Sequence, residues 1–279
     1  MEVKTYTSSK DYRLGELLKN GLKGYKDGLY LSRLFVSRGF KAKYKTSYVG
    51  FIWEIVPSLT TAIVWIFLRA SGAVETTDVN IPFPLFVIIG TTMWSLITES
   101  INKPMGAFLE YSSIISKINI PKEALLLIGF FNVLINHGIK LLLVLILLFY
   151  YQIPPSISLL YFIPIVVLTV LFFMSIGVFL LPLEYMLSDI GRLKNYGLMG
   201  LMYLTPVVYA NPGKGFVSTI MSLNPIAFII DGLRNSLTGL PIGSSSFFFG
   251  MSVVTVLLFL GATVLYRITI PIIIQRIGA

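Results

Sequence analysis

Residues 124–150, ALLLIGFFNVLINHGIKLLLVLILLFY, form an apolar run whose only charged side chain is Lys140. About 20 such residues cross the roughly 30 Å hydrocarbon core of a bilayer as a helix. A stretch of this kind has few places to go in a water-soluble fold, and it is not alone. Comparable runs lie near 49–70, 83–103, 160–185, 196–210 and 246–266, separated by short polar breaks. A chain that is 55% hydrophobic and 13% charged, with a mean hydropathy of +0.81, carries more apolar surface than a soluble core of 279 residues hides. The predicted class is therefore all-α: a polytopic membrane protein of six spans.

Six spans put both termini on one side, and the basic residues choose it. The first 48 residues hold 11 Lys/Arg against 4 Asp/Glu. Lys117 and Lys122 follow in the 104–123 connection, and Arg192 and Lys194 in the 186–195 loop. The 71–82 loop has Glu75 and Asp78 without a Lys or Arg, and 151–159 has no charge. The basic segments are expected in the cytoplasm, with residues 267–279 as a cytoplasmic tail. The first 48 residues lack the continuous apolar region of a cleavable signal peptide, so they are expected to be mature cytosolic structure. Within them, Leu31, Leu34 and Phe35 share a helical stripe with Arg33 and Arg38 off it. This predicts an interfacial helix over 27–40. Lys41, Lys43 and Lys45 then sit at the headgroups, with Tyr44 and Tyr48 as anchors, before a turn into the first span near Gly50. Glu54 lies close enough to that surface to meet water or a basic partner, and Pro57 kinks the span.

Residues 211–245 are apolar but broken by Asn211-Pro212-Gly213, Asn224-Pro225 and Gly239-Leu240-Pro241. The pieces between these turns, about 9 and 14 residues, are too short to span. They read as two helices re-entering the outer leaflet, with Asp231 and Arg234 on one face and an internal wall or water beside them. The alternative is a seventh span over 217–237.

The net charge of +9 reflects topology and attraction to anionic headgroups rather than nucleic-acid binding. Without cysteine there is no disulfide, thiolate metal site or cysteine nucleophile, and the single His137 cannot build a multi-histidine metal centre. No catalytic or metal-binding residue is expected. No clustered carboxylates suggest an enzyme acting on a polyprenyl-linked sugar, and no midplane relay suggests an ion-coupled carrier. Asn132, Asn136 and Lys140 recur at i, i+4 and i+8 and must turn from lipid. Glu54, Glu99 and Glu184 all read as nearer the cytoplasmic face, so Lys140 has no evident partner. His137 reads as packing.

Lys43-Tyr44-Lys45-Thr46-Ser47 followed by Gly50, Trp53 and Pro57 resembles the first-span approach of the permease subunits of bacterial ABC exporters for lipid-linked polysaccharides. This family comprises the O-antigen, capsule and teichoic-acid transporters. IPFPLFVIIGTTMWSLI (81–97), IISKINIPKEAL (114–125), TPVVY (205–209) and LNPIAFIIDGLRNSLTG (223–239) resemble further blocks of the family in the same order. The resemblance implies a homodimer in the bacterial cytoplasmic membrane with two ATP-binding subunits, which would bind ATP and Mg. This chain would carry no cofactor, in keeping with its lack of a G-x-x-x-x-G-K-[ST] phosphate loop. An exporter of a drug or lipid is the alternative.

In that frame 104–117, started by Pro104, is the element that couples to the ATPase, through Leu109, Glu110, Tyr111, Ile114, Ile115 and Lys117, unless it is a plain amphipathic interface helix. Lys41, Lys43 and Lys45 would meet the lipid diphosphate. Trp53, Trp65, Phe67, Tyr203 and Tyr209 are candidates to line the polymer path, or else belong to interfacial belts and packing.

Overall fold

The computed structural model describes residues 13–45, 50–73, 79–115 and 120–277, with the side chains of 44, 113–115, 276 and 277 left aside. The described residues form nine α-helices and one 3-10 turn at Ile157–Tyr161, without a strand. The helices are α1 (Leu14–Lys45), α2 (Ile52–Ala70), α3 (Phe83–Ile115), α4 (Glu123–Tyr150), α5 (Phe162–Met186), α6 (Ser188–Tyr203), α7 (Phe216–Leu223), α8 (Pro225–Thr238) and α9 (Ser245–Ile277). Five helices, α2, α3, α4, α5 and α9, are long and apolar enough to cross a membrane. The chain is an all-α, multi-pass membrane protein.

α3 is the axis of the bundle, because its apolar side chains ring the whole helix. Leu85, Ile89, Met93, Leu96 and Ile97 are buried against α2, α4, α5 and α8. A second cluster, centred on Phe108, Leu125, Leu126, Leu181 and Tyr266, closes the other end of α3 with α1, α4, α5 and α9. We call this the basic end, since α1 finishes there in Lys41, Lys43 and Lys45.

Several boundaries differ from the sequence reading. Pro104 does not start a helix. α3 runs through it, and membrane helices accept such a proline where neighbouring helices pack around the freed carbonyl. The interfacial helix is 32 residues long rather than 27–40. Its buried face is Gly21, Gly24, Gly28, Ser32 and Val36, with Leu31, Leu34 and Phe35 half-buried alongside and Arg33 and Arg38 exposed. Small residues win that face because α1 lies directly on α4 and α9. A side chain on Gly24 would overlap the Glu123 carboxylate. The 267–279 tail is largely helix, since α9 continues to Ile277. Arg267 ion-pairs there with the buried Glu123, Nε to Oε1 2.5 Å, and Tyr266 Oη donates to the Lys122 carbonyl at 2.9 Å. Tyr25 stacks on Phe259 and shares a hydrogen bond with Thr263. Burial pushes its phenol up to about 12.

The 186–195 loop is also helical: only Leu187, in an extended conformation, separates α5 from α6. The expected span at 196–210 is not one helix. α6 begins at Ser188, carries Asp189, Arg192 and Lys194 in its first two turns, and stops at Tyr203. Its 16 residues reach about 24 Å at 1.5 Å per residue, short of a hydrocarbon core. The seventh-span alternative fails as a straight helix, because α7 and α8 meet at 76°.

Candidate translocation surface

The α7–α8 corner is written locally. Gly215 adopts φ 87° just before α7. Asn224 caps α8 by accepting from the Ile226 N–H at 2.9 Å, Pro225 occupies the first helical position, and Gly239 ends the helix at φ 78°. The three turn signals therefore lie where the helices begin and end, and the pieces are 8 and 14 residues long.

The same corner holds residues 204–209, the non-helical continuation of α6. This strip lies against α3 so closely that a side chain on Gly90 would overlap the Val207 carbonyl. Helix hydrogen bonds are missing there, and polar groups at membrane depth need internal partners. Arg234 supplies them. Its Nη2 donates to the carbonyls of Pro206 at 2.9 Å and Val207 at 3.2 Å, while Nη1 pairs with Asp231 at 2.6 Å. The guanidinium also lies 3.7 Å from the centre of the Phe86 ring, a cation–π contact in a site where Arg234 is 3% exposed. Asn224 adds donors to the Leu204 carbonyl at 3.1 Å and the Thr205 hydroxyl at 2.9 Å. Asp231 and Arg234 do share a face, and the pair serves chiefly to aim a guanidinium at the broken backbone.

α2 and α6, like α4, α5 and α9, leave large apolar side chains open. On α2, Trp53, Ile63, Val64 and Phe67 are exposed, with Trp53 at 67% and Phe67 at 68%. α6 rests on α5 alone among its strong contacts and exposes Leu193, Tyr196, Met199 and Tyr203. Of the five aromatics singled out in the sequence, Trp53, Phe67 and Tyr203 belong to these open faces. Trp65 and Tyr209 instead pack on each other, ring centres 6.0 Å apart, and the Tyr209 hydroxyl donates to the Tyr203 carbonyl. The hinge beneath α6 is fixed by Lys194, whose Nζ is 2.6 Å from Glu184, both side chains largely buried.

At the basic end, Lys43 ion-pairs with Glu54, the basic partner that the sequence left open, while Lys41 and Lys45 are exposed. Of the expected coupling residues, Leu109 and Glu110 are exposed on α3, and Tyr111 packs edge-on against Phe35 with ring centres 5.0 Å apart. Ile114 and Ile115 lie in the last turn of α3, but their side chains, like Lys117 altogether, fall outside the described residues; so does Tyr48.

Lys140 has a partner after all. It ion-pairs with Glu99 and donates to Ser95 Oγ at 3.1 Å, while Asn136 Nδ2 donates to Glu99 Oε2 at 3.1 Å. Reading span two as ending at 103 set Glu99 near a surface. With α3 extending to Ile115, Glu99 is its central residue and lies level with the Asn136–Lys140 turn. His137 is packed, 3% exposed and stacked on Phe162.

Comparison with protein-family models gave no match. Among curated proteins, an O-antigen export system permease protein RfbA of Klebsiella pneumoniae is 29% identical over 209 residues, covering 72% of this chain and 78% of that protein. The chain is thus similar to O-antigen export permeases over most of its length. A second Klebsiella pneumoniae permease of that name is 26% identical over 214 residues (74% and 80% covered), and one from Myxococcus xanthus is 24% identical over 207 residues (73% and 77%). The resemblance carried by the sequence motifs and these export-permease relatives agree.

Proposed function

We propose that this chain is the membrane subunit of an ABC transporter that exports a lipid-linked O-antigen polysaccharide across the bacterial cytoplasmic membrane. The observation that carries the reading is the similarity to three permeases named for O-antigen export, each along about three-quarters of both chains. In this reading the termini are cytoplasmic, the basic end faces the cytoplasm, and α7 and α8 dip into the outer leaflet. A separate subunit binds ATP and Mg, and docks on the end of α3 through Leu109, Glu110, Tyr111, Ile114, Ile115 and Lys117.

Two copies complete the pathway. The open faces of α2 and α6 carry the exposed members of the aromatic set, and a second copy meeting them encloses a lumen lined by Trp53, Phe67 and Tyr203, with Trp65 and Tyr209 behind. Sugar rings stack on such aromatics at about 0.5–1.5 kcal/mol each, by analogy with aromatic pairs, which holds a polymer without trapping it. Exposed Lys41 and Lys45, beside the Lys43–Glu54 pair, meet the lipid diphosphate as point charges. The 204–209 strip, held by Arg234 and Asn224, forms the exit.

Reconstitution tests it. The chain alone should hydrolyse no ATP, and adding its partner ATPase subunit should give ATP-dependent movement of a lipid-linked O-antigen glycan into proteoliposomes. Robust Mg-dependent hydrolysis by the isolated chain, or transport without the ATPase, contradicts the proposal.

A further inference from the structure

We infer that a cleft between α1 and α4, at the basic end, holds the phosphate of a resident anionic membrane phospholipid. The cleft is an open, mostly apolar groove of about 510 Å³. One wall is the α1 row Arg33, Ser37 and Lys41, spaced i, i+4, i+8, so that two cations flank a hydroxyl along one ridge of the helix. The other wall is Phe131 and Ile135 of the membrane-crossing α4. No carboxylate lines the cleft, and among the described residues neither Arg33 nor Lys41 forms an ion pair, in contrast to Lys43 two residues on, which is neutralised by Glu54. Arg33 instead lies 5.9 Å from the centre of the Phe131 ring.

This combination selects its occupant. Two unneutralised cations and a hydroxyl donor call for a phosphate, which guanidinium and ammonium groups bind through charge-assisted hydrogen bonds. An aqueous phosphate ion gains nothing from Phe131 and Ile135. A phospholipid places its phosphate on the α1 row and its first acyl carbons on those two side chains, in the orientation that the surrounding leaflet already gives it. Anionic lipids are favoured over zwitterionic ones because their negative charge stays uncompensated within the headgroup. The lipid thereby mortars α1 to α4 beyond the glycine contact at Gly28 and Ala124. The inference goes beyond the export reading, since it needs only a bilayer around α4 and no transported glycan.

The test uses the full purified chain in phosphatidylcholine nanodiscs, titrated with phosphatidylglycerol and read by native mass spectrometry of the lipid retained on release. We expect one saturable phosphatidylglycerol per chain, weakened at least tenfold by Arg33→Gln and by Phe131→Ala, and not displaced by millimolar inorganic phosphate. Arg33 is exposed, so its variant keeps the fold, which thermal unfolding verifies; if Phe131→Ala unfolds the chain, Arg33→Gln alone decides. Wild-type retention in Arg33→Gln overturns the site, and full displacement by inorganic phosphate overturns the lipid as its occupant. Lys41 is shared with the cluster assigned to the exported lipid, but neither variant touches it and export is not the readout, so either proposal can fail while the other stands.

Discussion

α3 and α6 both read in the sequence as spans, yet they are opposite kinds of helix. α3 buries side chains on every side and meets five other helices, whereas α6 rests on α5 and shows Tyr196, Met199 and Tyr203 to the outside. A helix at the centre of a bundle owes its position to its neighbours within the chain. One that leaves most of its apolar surface open owes its position to lipid or to another copy. The contrast teaches that this protein has a finished half and an unfinished half, and that substitutions should read differently in each.

The largest effect should fall in the finished half. Lys140→Ala leaves the partly buried Glu99 without its cation and with only Asn136 as a partner, a loss that costs up to about 3–5 kcal/mol, the figure for a fully buried pair. Unfolding of the purified chain in detergent should show a destabilisation of that order, and Lys140→Met with Glu99→Leu should recover most of it. If Lys140→Ala unfolds like the wild type, the ion pair is not what holds α3 to α4. Next in size is Arg234→Ala, which removes the donors of the Pro206 and Val207 carbonyls and strands Asp231. About 2–3 kcal/mol is expected from such charge-assisted hydrogen bonds, with faster proteolysis near 204–215 as the local signature. Unchanged cleavage there would mean that the strip is held by something else.

The unfinished half should respond in another currency. Because the chain has no native cysteine, Trp53→Cys and Tyr203→Cys need no altered background. Each should change the stability of the purified chain by no more than about 0.5–1 kcal/mol, as expected for exposed positions. Both should form disulfides between copies or react with water-soluble thiol reagents during ATP-driven export. Protection of both throughout turnover, with export intact, would place these faces against lipid and dissolve the contrast. The smallest effect is expected for Arg192→Ala, which removes an exposed i,i+3 pair with Asp189 at 3.3 Å, worth about 0.3–0.5 kcal/mol at most and lost in salt.

Much of this was legible beforehand where the signal is local. The apolar runs gave five crossing helices to within a few residues at most ends, and the Asn-Pro and Gly punctuation placed α7 and α8, because those signals act on the backbone of the residues that carry them. What failed depended on neighbours. Pro104 looked like a boundary, since the packing that lets a membrane helix run through proline is not written beside it. That single misreading shortened α3, moved Glu99 toward a surface, and so hid the partner of Lys140. α1 was legible only in part: the stripe of Leu31, Leu34 and Phe35 marked an interfacial helix, but the close approach of α4 and α9, which gives the buried face to Gly21, Gly24 and Gly28, depends on neighbours. At the candidate surface, exposure separated Trp53, Phe67 and Tyr203 from Trp65 and Tyr209, a distinction no residue type announces.

The Glu99–Lys140 pair also bears on how the protein enters the membrane. A lysine at the centre of a lone helix adds about 2.5–3.5 kcal/mol to its insertion, and a carboxylate there is penalised as well. The two groups lie 41 residues apart, so Glu99 is already made when Lys140 leaves the ribosome. Inserted one at a time, each helix brings a bare charge to the bilayer; inserted as a hairpin, they bring a neutral pair. The unit of membrane integration is then α3 with α4, and biogenesis must hold the first helix near the translocon until the second arrives.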